Sequence, residues 1–254
     1  MFAALANPHR FMAFSRWMGP TLAAIAVTLI GVGLVLVTGA PPERWQGTAV
    51  RILYLHVPSA ITAEVAYMAL GAASVVSFVF RHALADAAAK TVAPLGAGFT
   101  LLALVTGSLW GETSWGTWWQ WDARMTSVLI LFLLFVGYIG LRASIDDETR
   151  AGRAAAILAM VGLLDLLVIK YSVSPPSWLP PLYRQLTGGE LVWWNSLHQG
   201  ESIFSGEMAP AFLIPLSFMI FGFLATFGAL WVTRIRAEVW SRRAQALAVQ
   251  AAGA

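Results

Sequence analysis

The chain has 254 residues, of which 58% are apolar and only 11% charged, and its mean hydropathy is +0.70. That balance is too apolar for a soluble domain and implies a membrane protein, with room for about six crossings of roughly 20 residues and short loops between them. The net charge of +3 comes from cations scattered between apolar runs and not gathered in a stripe, which argues against nucleic acid; the absence of cysteine excludes disulfides, iron–sulfur clusters, thiolate catalysis and cofactor attachment through Cys.

In chain order, the apolar runs predict helical spans at Thr21–Thr38, Pro58–Phe80, Thr91–Leu109, Met125–Leu141, Ala154–Ile169 and Ala209–Val232. Each must satisfy its own backbone in hydrocarbon, so helices are expected and not barrel strands. Arg10 and Arg16 precede the first run, and no small-residue cleavage site follows it, so it reads as a retained span. Pro58, Pro94 and Pro210 are placed in first helical turns, and Pro215 deeper in the last span. The fold expected is therefore all-α, one polytopic domain over residues 1–254 with six transmembrane helices.

Orientation follows from the cations. Eleven of the sixteen Lys and Arg fall in the N-terminal segment, the 81–90 and 142–153 loops and the C-terminal tail. By the positive-inside rule both termini are cytoplasmic, and the loops at 39–57, 110–124 and 170–208 face outward, which in a bacterium is the periplasm. The charged residues Asp146, Asp147, Glu148 and Arg150 read as a solvated turn.

The outward loops hold nine of the twelve tryptophans: Trp45, Trp110, Trp115, Trp118, Trp119, Trp121, Trp178, Trp193 and Trp194. Anchoring at an interface explains any one of them, but an aromatic belt needs no such one-sided excess. If the densest stretch, residues 110–125, lies as a short interfacial helix, then Trp115, Trp118, Trp119 and Asp122 share one face; Gly111 and Gly116 work against that helix. Such a face would suit a large planar apolar ligand. Histidine sorts the same way. His9 and His82 fall on the charged side, with solvated or headgroup roles, whereas His56 and His198 precede the second and sixth spans on the tryptophan side. Two neutral imidazoles can hold one haem iron, although a histidine at a helix end is also an ordinary capping group. Arg51 and Arg124 are the candidate partners for haem propionates, with lipid phosphate as their alternative. Glu64 and Asp165 lie inside predicted spans; Glu64 could orient a ligand, and Asp165 could pair with Lys170.

The run Trp115-Gly-Thr-Trp118-Trp119-Gln-Trp121-Asp122-Ala-Arg124-Met-Thr-Ser resembles the tryptophan-rich WWD signature of haem-handling proteins, specifically the CcmC family of cytochrome c maturation. Leu55-His56-Val-Pro58 and Trp193-Trp194-Asn195-Ser-Leu-His198-Gln199 are similar to that family's two histidine motifs. The related CcmF and CcsA proteins tend to continue the tryptophan loop with Asp-Pro and an acidic residue, and have more spans. The resemblance implies a subunit, not an enzyme, that binds b-type haem non-covalently and transiently at the periplasmic face of the inner membrane. His56 and His198 would ligate the iron, with Trp115, Trp118, Trp119, Trp121, Asp122, Arg51 and Arg124 around it. It implies delivery to the haem chaperone CcmE, in a complex with the ABC-transporter subunits CcmA and CcmB and with CcmD. A transmembrane haem exporter subunit, a b-type electron-transfer protein and a purely structural subunit are the alternatives. One departure is a Pro-rich insert at residues 174–191, read as a rigid surface loop or a docking element.

Overall fold

The computed structural model describes residues 7–172, 181, 184–185 and 208–253. Six helices are long and apolar enough to cross a membrane: α1 (Pro8–Gly39), α2 (Leu53–Phe80, preceded by a 3-10 turn at Thr48–Ile52), α3 (Ala83–Trp115), α4 (Ala123–Ser144), α5 (Glu148–Tyr171) and α6 (Pro210–Ala252). Among the described residues there is no β-strand, only one isolated bridge between Glu43 and Gly47. Each expected span is found, and every helix overruns its apolar run. At 43 residues α6 is about 65 Å long, twice the roughly 30 Å of a hydrocarbon core. Its charged extension stays helical because Arg, Ala, Glu and Gln propagate helix well.

The overruns displace two expectations. Pro58 and Pro94 lie inside α2 and α3, because both helices start earlier than their apolar runs; only Pro210 opens its helix. The starts are marked by polar side chains. The His82 ring accepts from Ala85 N–H at 3.2 Å, and Asp147 accepts from the Thr149 and Arg150 N–H groups at 2.8 and 2.9 Å. His82 and Asp147 are thus helix caps. Those two backbone donors, Arg150 first, hold the Asp147 carboxyl below the usual carboxylate range.

Helices α2 to α6 form the packed body. Its core joins Tyr67, Leu70, Val92, Leu131, Phe135 and Tyr138 with Ala66, Ala89, Ala93, Ala155 and Ala159. In a membrane the attraction between helices comes from close packing, and the alanines let backbones approach. Helix α1 packs mainly along α6, where Met219 lies against Gly33 and Ile30 against Gly222.

The bundle has two unlike ends. One carries the 40–52 and 116–122 links and is called here the tryptophan end. The opposite, charged end is cross-linked by ion pairs. Asp86 of α3 receives Arg142 of α4 at 2.5 Å and Arg242 of α6 at 2.7 Å, and Lys90 reaches Glu148 at 3.2 Å and Glu238 at 3.0 Å. Glu148, expected in a solvated turn, belongs to this network.

Candidate haem site at the tryptophan end

His56 lies in the second turn of α2 and is 9% exposed. Its ring points into α3, with Nδ1 3.0 Å from the Ala103 carbonyl oxygen and 3.3 Å from Thr106 Oγ1. A carbonyl can only accept, so Nδ1 carries the hydrogen and the neutral ring keeps its lone pair on Nε2. Thr106 itself donates to the Leu102 carbonyl at 2.7 Å, which leaves its oxygen lone pairs toward the imidazole. This is how proteins orient a metal-binding histidine: one ring nitrogen is fixed by a backbone acceptor, which sets the tautomer and raises the basicity of the other.

The slot is narrow by composition. A Cβ added at Gly107 would stand 2.7 Å from His56 Cε1 and 3.1 Å from Nδ1, so glycine is the residue that admits the ring. One turn on, Trp110 meets the imidazole edge to face, with centroids 5.7 Å apart and planes at 73°. Its indole N–H donates to Gln46 Oε1 at 2.8 Å. Gln46 is held by a tight turn in which Glu43 Oε2 accepts from the Trp45 and Gln46 N–H groups at 2.7 and 2.8 Å. The bond from Gln46 is the main reason the Glu43 carboxyl sits below its ordinary range. The part played by Gln46, Ala103, Thr106 and Gly107 around His56 was not legible, because Ala103 contributes a backbone oxygen, Gly107 an absent side chain, and Thr106 and Gln46 ordinary side-chain oxygens brought in from other elements.

The tryptophan stretch does not form one helix. Trp110–Trp115 complete α3, Gly116 closes it with φ 72° in the left-handed region, and residues 117–122 are a link before α4. The expected face of Trp115, Trp118, Trp119 and Asp122 is therefore not set by helical periodicity. The link folds back on α3 instead, with Ser108 Oγ donating to the Trp118 carbonyl at 2.5 Å. Trp118 and Trp121 are 58% and 71% exposed, and Trp119 is half-buried with its ring 5.5 Å from Trp121 at 72°.

Asp122 is buried and caps α4, its Oδ1 accepting from Met125 N–H at 2.7 Å. Arg124, half-buried in the first turn of α4, lies within electrostatic reach of His56, Asp122 and Glu64. Arg51 is exposed on the 3-10 turn five residues before His56, with Nη2 3.5 Å from the Thr38 carbonyl. Glu64 lies two turns deeper on α2 and interacts with Arg124 and Lys170. Asp165 faces Ser127 and Tyr67, and not Lys170. His198, Trp178, Trp193 and Trp194 lie outside the described residues, as does the 174–191 insert apart from residues 181, 184 and 185. Among the described residues no group of three or more His, Asp or Glu could hold a metal ion.

A six-helix bundle with an imidazole set at one end beside a link of exposed indoles defines a polytopic membrane protein. The family model described as heme exporter protein C, CcmC, matches residues 1–187. Curated relatives of the same name include one from Bradyrhizobium diazoefficiens, 43% identical over 96% of this chain and 87% of its own. Another, from Escherichia coli K12, is 41% identical over 91% and 88%, and a third, from Paracoccus denitrificans, 37% identical over 95% of each. The chain belongs to the heme exporter protein C family.

Proposed function

We propose that this protein binds haem at the tryptophan end and delivers it to the periplasmic haem chaperone CcmE during c-type cytochrome biogenesis. The observation that carries the reading is the His56 tautomer: Nδ1–H spent on the Ala103 carbonyl leaves Nε2 as the nitrogen suited to iron. His198 is the second ligand from the chain before α6. The indoles of Trp115, Trp118, Trp119 and Trp121 supply flat apolar surface for the macrocycle, and Arg51 and Arg124 meet the propionates. The positive-inside rule places this end in the periplasm and the ion-paired end in the cytoplasm.

Haem is the cargo and not a resident cofactor, so its grip must be exchangeable. A link carrying the exposed indoles of Trp118 and Trp121 suits hand-over better than a site closed between helices. The middle of the bundle is filled by Tyr67, Leu70, Leu131 and Phe135, all completely buried, which favours presentation at one face over passage through this chain. ATP hydrolysis comes from a partner in the complex with the ABC-transporter subunits CcmA and CcmB and with CcmD. Absorption spectra of the detergent-purified protein, oxidised and reduced, test the assignment. His56→Ala combined with His198→Ala is expected to abolish the Soret band while the protein still reaches the membrane; full haem content in that variant would defeat it.

A further inference from the structure

Tyr67 of α2 is completely buried, and its hydroxyl has no hydrogen-bond partner among the described residues. The ring cannot swing away, because it packs edge to face on Phe135 of α4 at 4.9 Å. Its oxygen lies against Gly162 of α5, and Asp165 follows one turn nearer the tryptophan end. Asp165 Oδ2 is likewise buried with no partner, yet its carboxylate interacts electrostatically with the Tyr67 hydroxyl. Ser127 of α4, itself 4% exposed, turns its hydroxyl to the same carboxylate. Polar side chains of three helices therefore meet in one region of the core, about 16 Å along α2 from His56.

The two buried oxygens make no direct hydrogen bond to each other. Unmade hydrogen bonds cost most where hydrocarbon and packed side chains keep bulk solvent away. Convergent polar atoms with a gap between them are the setting in which proteins hold an internal water. We propose that Tyr67, Ser127 and Asp165 bind an internal water molecule that bridges α2, α4 and α5 in the half of the bundle nearer the tryptophan end. The water accepts from the Tyr67 O–H and donates to Asp165 Oδ2, so both orphaned atoms are satisfied at once. The site is independent of haem.

The test turns on a sign. Removing a hydroxyl that has no partner relieves a penalty, whereas removing one that holds a bridging water breaks two contacts. In the purified full-length protein in detergent, Tyr67→Phe is expected to lower the unfolding midpoint by several degrees. The same substitution in an Asp165→Leu background is expected to have a much smaller effect. Infrared difference spectra between ordinary and oxygen-18 water are expected to show a shifted O–H stretch that Tyr67→Phe removes. A midpoint unchanged or raised by Tyr67→Phe would overturn the proposal. So would a midpoint raised by sodium chloride over choline chloride in the unsubstituted protein but not in Asp165→Leu, since the occupant would then be a cation.

Discussion

The two ends of the bundle are held by different physics. At the charged end, four helices are tied through Asp86, Lys90, Arg142, Glu148, Glu238 and Arg242, with Arg142 only 7% exposed. At the tryptophan end no ion pair among the described residues joins two helices. Polar contact there comes from an imidazole–carbonyl bond, an indole–amide bond, Arg51 on the Thr38 carbonyl and a loop folded back on α3, over an apolar cluster around Leu53, Tyr54, Leu216 and Met219. Networks of partly buried charges fix helices more firmly than isolated neutral hydrogen bonds. The charged end can therefore secure the register of α3 to α6, while the other end leaves Trp118 and Trp121 open to a ligand or partner.

If the ends are separable in this way, substitutions at each should move different observables. The largest effect is expected from Gly107→Leu. Even a Cβ at that position would crowd His56 Cε1, so the imidazole must leave its slot. Haem content is expected to fall as far as in the double histidine variant, while overpacking costs about 1–3 kcal/mol of stability. Normal haem content in Gly107→Leu would show that the slot does not aim the ligand.

The converse experiment is Asp86→Ala, which strips the carboxylate from both Arg142 and Arg242. Arg142 then keeps only the longer 3.8 Å contact with Glu148 while Arg242 keeps Glu238, and losing the charge-assisted bonds is expected to cost about 2 kcal/mol, read as a lowered unfolding midpoint in detergent. Haem bound per folded molecule should not change. A loss of haem without a loss of stability would mean that the two ends are coupled through α3.

That separation also explains what the sequence could disclose. The six spans were legible because hydrocarbon demands long apolar helices, and that demand is written in composition alone. Their ends were not: at the charged end, helix continues through residues such as Lys90, Glu148 and Glu238 that pair across helices, past the point where apolarity stops. His56 was legible as chemistry, since a lone histidine at the head of an apolar run is conspicuous. Its surroundings were not: Ala103 contributes a carbonyl, Gly107 an absence of side chain and Gln46 an amide from a distant turn. The tryptophan stretch misled in a specific way, because its i, i+3, i+4 spacing imitates a helix face that Gly116 interrupts.

Asp122 offers the finest division between the two kinds of role. It lies in the tryptophan motif, yet its side chain is spent on Met125 N–H at the start of α4. If capping is its whole contribution, Asp122→Ala should cost about 1 kcal/mol, and Asp122→Ser or Asp122→Asn should restore most of that, since all three residue types cap well. Haem retention should follow the same order, because the cap holds Arg124 in the first turn of α4. A charge acting on the ligand would behave otherwise: the neutral Ser and Asn variants would lose haem as completely as Ala while recovering stability. Measuring the midpoint and the Soret intensity on the same three variants separates the cases, because a cap moves both observables together and a ligand contact moves only one.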